Sequence, residues 1–106
     1  GGRPYPQKSP NSQGIMEIKW TEKAFSDVER LYEFLEPVNQ RAAARVAKVL
    51  VNAPNRLRRF PRAGERLFEF EPREVRRILI GNYEMRYEIR GAVIVILRIW
   101  HTREER

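Results

Sequence analysis

The side chains of this sequence best suited to chemistry are arginines and a single histidine. His101 is followed at once by Thr102 and Arg103. An imidazole takes or gives a proton near neutral pH, and guanidinium groups beside it can hold a phosphate and its developing charge. Metal-independent RNA cleavage needs those parts: a group that removes the 2′-hydroxyl proton, one that protonates the leaving oxygen, and cations around the phosphate. Arg86, with Arg76 or Arg77 and Arg98, forms the expected cluster on an open sheet face, and Arg103 stands next to His101. The blander alternative makes His101 a strand-end side chain bonded to nearby backbone, and the arginines a solvated face. Other chemistry is poorly provided for. One histidine without cysteine cannot build a zinc site, there is no serine nucleophile elbow, and no glycine loop cradles phosphates. No metal or other cofactor is expected. Glu69, Glu71 and Glu74 sit among arginines and read as ion-pair partners. Tyr83, Tyr87 and Trp100 could stack on bases, although aromatic alternation on strands more often fills a core.

These residues must be carried by one small domain. The chain has 106 residues, 42% of them apolar, and a formal net charge of +7, a composition that folds and a length that supports one core. Residues 16 to 55 hold six basic and six acidic side chains, whereas 56 to 106 hold thirteen basic and eight acidic. All thirteen are Arg, and no Lys follows Lys48. A guanidinium grips phosphate or carboxylate in two places while an ammonium acts as a point charge, so a polyanion or an acidic partner is expected. The absence of cysteine suits a reducing cytoplasm. The longest apolar run, Ala92 to Leu97, falls well short of the ~20 residues that span a bilayer, so no membrane partner is expected.

The pattern predicts an α+β fold: an N-terminal strand and a two-helix hairpin packed on a C-terminal antiparallel β-sheet. Met16 to Trp20 alternates as a half-buried strand and should join the sheet edge. Thr21 offers an N-cap, after which Ala24, Phe25, Val28, Leu31, Tyr32 and Leu35 recur at helical spacing up to Pro37. Asn39 caps a second helix with a stripe of Ala42, Ala43, Val46, Val49, Leu50 and Ala53 that Pro54 closes. Residues 54 to 65 connect to strands Arg66 to Glu71, Glu74 to Ile80, Tyr83 to Arg90 and Val93 to Trp100. Gly81-Asn82 and Gly91-Ala92 make the tight links. Simple alternation puts Val93, Val95, Leu97, Ile99 and His101 on one face of the last strand and Ile94, Ile96, Arg98 and Trp100 on the other. Apolar on both sides, that strand should lie inside the sheet. Residues 1 to 15, with three of seven prolines and three of six glycines, are expected to be disordered, an appended leader in preference to a native flexible tail, before a single domain over 16 to 106.

This order of elements resembles the RelE/ParE superfamily of toxins from type II toxin-antitoxin systems. The resemblance rests on Arg73-Glu74-Val75-Arg76-Arg77-Ile78-Leu79 and the closing Ile96-Leu97-Arg98-Ile99-Trp100-His101-Thr102-Arg103-Glu104, and covers nearly all of residues 16 to 106. It implies a growth-inhibitory toxin neutralised by a cognate antitoxin whose C-terminal segment orders on binding. RelE-like members cut messenger RNA on the ribosome; ParE-like members share the fold and poison DNA gyrase. In the nuclease case Arg86 falls at the phosphate-binding strand position and His101 near the catalytic histidine, while Arg76, Arg77, Arg98 and Arg103 would bind target or phosphate. That branch also uses lysines before the meander and a Tyr or His near the C-terminus. This chain has no Lys in residues 56 to 71 and no Tyr after Tyr87, and its Trp-His-Thr-Arg-Glu ending resembles ParE-type plasmid-stabilisation proteins. The ParE-like branch is therefore favoured over the nuclease, and both over a non-toxic nucleic-acid-binding module.

Overall fold

In the computed structural model, which describes residues 16–104, the alternating start of the domain is strand β1 (Glu17–Trp20). The expected leader, residues 1–15, lies outside the described residues. Thr21 keeps an extended backbone and its hydroxyl oxygen accepts from the Ala24 N–H, so that helix α1 (Glu22–Leu35) starts with one orphan donor satisfied. Asn39 does the same for helix α2 (Gln40–Asn52) through the Ala42 N–H. Pro54 does not close the helical path as expected. Ala53 stays helical, and Pro54, lacking an N–H that a helix start would leave unpaired anyway, opens the short helix α3 (Pro54–Leu57) inside the expected connector.

The sheet comprises β2 (Glu65–Arg66), β3 (Glu74–Ile80), β4 (Tyr83–Arg90) and β5 (Val93–His101) besides β1, in the order β1-β5-β4-β3-β2. β1 runs parallel to β5 at one edge, and the other pairings are antiparallel. Gly81 and Gly91 hold φ of 59° and 55° at the first position of two-residue links, the conformation a type II′ hairpin turn reserves for glycine. The helix hairpin covers one sheet face. Ala24, Val28 and Leu31 of α1, Leu50 of α2 and Leu57 of α3 pack with Met85, Tyr87, Ile94, Ile96 and Ile99. Each large side chain so buried contributes about 1.5–3 kcal/mol.

Two further sequence expectations need correcting. The strand Arg66 to Glu71 is a two-residue β2 followed by a 3₁₀ turn over Phe68–Phe70. With Glu65 opposite Arg77 and Arg66 opposite Arg76, residues beyond Leu67 must make the return to β3 and cannot also pair with it. Second, alternation does not hold along β5. Arg86 faces Arg98 while Tyr87 faces Ile96, so Leu97 is an extra residue, a β-bulge. The bulge inverts parity beyond it: Ile99 joins Ile94 and Ile96 in the core, and Arg98 and Trp100 turn to the opposite face.

Candidate functional site

The face of the sheet away from the helices carries a row of three arginines, one per strand: Arg77 on β3 is opposite Arg86 on β4, which is opposite Arg98 on β5. The expected cluster therefore takes Arg77 and leaves out Arg76. Arg76 alternates to the other side, where it donates to Glu74 and to the carbonyl oxygen of Gly64 at 2.7 Å. Together with the Tyr87 hydroxyl, which donates to Pro61 O and accepts from Gly64 N–H, it pins residues 61–64 to the sheet.

Each arginine of the row is engaged within the chain. Arg77 donates to Glu65 at 2.8 Å and reaches Glu84 at 3.5 Å. Arg98 makes two bonds to Asp27, at 2.8 and 3.1 Å, and lies over the Trp100 ring. Arg86 sits over both Phe70 and Trp100, 5.4 and 4.8 Å from the ring centroids, with Glu84 at 3.6 Å. The adjacent Glu88 takes Arg73 and Arg90 at 2.8 and 2.9 Å. The hydrogen bond from Arg73, aided by Arg90 and opposed by burial, lowers the Glu88 carboxyl to about 2. The row is thus a self-neutralised lattice of guanidinium, carboxylate and aromatic groups.

Asp27 explains how α1 meets the sheet. β1 ends opposite Ile96, so the rest of β5 has no strand on that side, and side chains cover its exposed backbone groups. Thr21 Oγ1 donates to Leu97 O, Ile99 N–H donates to Asp27, Arg30 donates to Ile99 O, and His101 N–H donates to Glu104. Asp27 is 3% exposed. Burial raises its pKa, but bonds from Arg98, Ile99 N–H and Arg30 outweigh it, leaving the carboxyl below its ordinary value. Sequence reasoning passed over this residue. Its signal was an acid within the apolar series Ala24, Val28, Leu31, a position that buries a charge.

His101 lies elsewhere. It is opposite Tyr83, edge-on to its ring at 5.2 Å. Both line a cavity of about 570 Å³ with Leu31, Phe34 and Leu35 of α1, and with Arg103 and Glu104. The His101 Nδ1 accepts from the backbone N–H of Arg103 at 3.1 Å, so the neutral ring carries its proton on Nε2. Of the residues singled out from the sequence, His101 and Arg103 come together on the helix side, whereas Arg77, Arg86 and Arg98 come together on the far side. A second cavity, about 690 Å³, opens between α2, α3 and the end of β3, lined by Val49, Leu57, Phe60, Ile78, Leu79 and Ile80 among others. Phe60 and Leu79 are largely exposed there. Among the described residues no group of three or more His, Asp or Glu could hold a metal ion, and no helix is long and apolar enough to cross a membrane.

Two solved structures share this architecture. A chain of the chromosomal ParDE toxin-antitoxin system from P. aeruginosa is similar at 23% identity and a TM-score of 0.70, covering 83% of this chain and 97% of that one. A chain of the toxin-antitoxin complex RelBE2 from Mycobacterium tuberculosis is similar at 22% identity and a TM-score of 0.55, covering 82% and 98%. At such identities the likeness is one of fold. A comparison with curated proteins found no significant match. The sequence model of the family described as "ParE toxin of type II toxin-antitoxin system, parDE" matches residues 18–106, a span holding the capped helix hairpin, the arginine row and His101. By that match the chain belongs to the ParE toxin family of type II toxin-antitoxin systems.

Proposed function

We propose that this toxin arrests growth by inhibiting DNA gyrase and is neutralised by a cognate antitoxin. The match to the ParE family carries the reading. The separation of His101 from Arg86 supports it: a ribosome-dependent nuclease of the type the sequence suggested needs its proton-transfer group and its phosphate-holding arginine around one phosphate. Here one lies against α1 and the other between two aromatic rings on the opposite side of the sheet. The nuclease remains the second reading because His101 and Arg103 are neighbours in an open cavity.

The antitoxin partner is supported by the two similar structures, which come from a ParDE system and a RelBE2 complex. It is supported also by the apolar cavity beside Phe60 and Leu79, since exposed apolar surface of this kind is covered by a binding segment. Two assays run together test the target. Purified gyrase should lose supercoiling activity or accumulate cleaved DNA when this chain is added, while messenger RNA on ribosomes stays intact. Message cut in the ribosomal A site, with cutting abolished by His101→Ala, would reverse the assignment.

A further inference from the structure

The charge most available to a partner lies outside the arginine row. Between Asn39 and Gly64 the chain has seven basic residues and no Asp or Glu. Arg41, Arg45, Lys48, Arg56 and Arg59 are exposed. None of them takes part in an ion pair among the described residues, whereas Arg30, Arg62, Arg66, Arg73, Arg76, Arg77, Arg86, Arg90 and Arg98 all do.

The five fall on one line. Arg41, Arg45, Lys48, Asn52, Arg56 and Arg59 follow one another at spacings of three and four residues, and the backbone stays helical through Ala53 and Arg58. Such spacing keeps them on a single helical face, opposite the stripe of Ala43, Leu50 and Leu57 that enters the core. At 1.5 Å per residue the line extends roughly 25 Å. Its members are Arg, Lys and Asn, the side chains that contact phosphates; Asn52 and Arg56 also border the apolar cavity beside Phe60 and Leu79, whereas Arg41, Arg45 and Lys48 lie outside it.

We infer that the outer face of α2 and α3 binds the phosphate backbone of duplex DNA. This does not depend on gyrase being the target; for a toxin acting on an enzyme that holds DNA, it would place the chain against that DNA. The cations are not neutralised within the chain, so each is free to displace a counterion from the duplex, and binding should be independent of sequence and steeply dependent on salt.

The test measures binding of the purified chain, free of antitoxin, to a short fluorescent duplex of mixed sequence over a series of salt concentrations. If four or five of the cations contact phosphates, log affinity falls against log salt with a slope of about −4. Arg45→Gln with Lys48→Gln should flatten the slope by about 2 and weaken binding about tenfold or more at moderate salt. Arg73→Gln with Arg90→Gln removes the same charge from the sheet and should change binding much less. Circular dichroism establishes that both variants are folded, and because the readout is binding to the duplex alone, a failure of gyrase inhibition in a separate assay would leave this result standing. Equal losses from the two pairs, or no binding by the parent chain, would overturn the inference.

Discussion

The outer sheet face and the outer face of the second helix are both rich in arginine, yet they differ in what surrounds those arginines. On the sheet, Asp27, Glu65, Glu84 and Glu88 stand within reach of Arg77, Arg86, Arg98, Arg73 and Arg90, and Trp100 and Phe70 stack on the guanidinium groups. On the helix, no carboxylate is near in sequence and none forms an ion pair with the five stripe cations among the described residues. A count of basic residues points to the sheet. The pairing points to the helix, because a cation held by its own chain must first break that contact before it can serve a partner.

If the sheet arginines are structural, disturbing their carboxylates should cost stability. Asp27→Ala leaves Arg98 without its carboxylate partner and the buried Ile99 N–H unsatisfied, while Arg30 keeps Glu104; with Arg98 about a third exposed, it is expected to destabilise by about 2–3 kcal/mol. Urea unfolding measures this, and a loss below about 1 kcal/mol would break the contrast between the two faces. Tyr87→Phe removes the hydroxyl that bridges Pro61 O and Gly64 N–H and should lower stability by about 1–2 kcal/mol. Its local signature is faster exchange of the Gly64 amide, read by hydrogen exchange.

Acid titration gives a smaller effect. The Glu88 carboxyl is held at about 2 against an ordinary 4.5. A depressed folded-state value means that this stability is fully present above about pH 4.5 and is lost as pH falls toward 2. Because Arg73 and Arg90 are about half exposed, the loss should be only about 1 kcal/mol. Thermal melts of Glu88→Gln should show less change between pH 5 and pH 2.5 than the parent. The smallest effect belongs to the helix: Arg45→Gln with Lys48→Gln should leave the melting temperature within the equivalent of about 0.5 kcal/mol, or raise it slightly by relieving repulsion along the turn. A large loss would mean the stripe is part of the packing.

Most of the architecture was legible because its signals are local. The caps at Thr21 and Asn39, the apolar spacing of α1 and α2, and the glycines of both hairpin links depend on residues a few positions apart. The closing strand and the Arg73 to Leu79 segment carried the family likeness for similar reasons. The site was less legible. The sequence pattern could not choose between Arg76 and Arg77, since that follows from the register of β3 on β4. It also misassigned the faces of β5, because the bulge at Leu97 arises from pairing with β4 and leaves no mark in the alternation. The stripe from Arg41 to Arg59 could have been found from its missing acids, but a net charge taken over each half of the chain concealed it.

The amino-acid order determined the secondary elements, their succession and the toxin family, all of which rest on short-range periodicity, capping and turn geometry. Tertiary structure decided which charges remain available. Asp27 meets Arg98 across 71 positions of sequence, and Leu97 is displaced by a pairing made only once the sheet has closed. Contacts over such separations depend on strand register and helix docking, so a partnered and an unpartnered arginine are the same letter until the chain has folded.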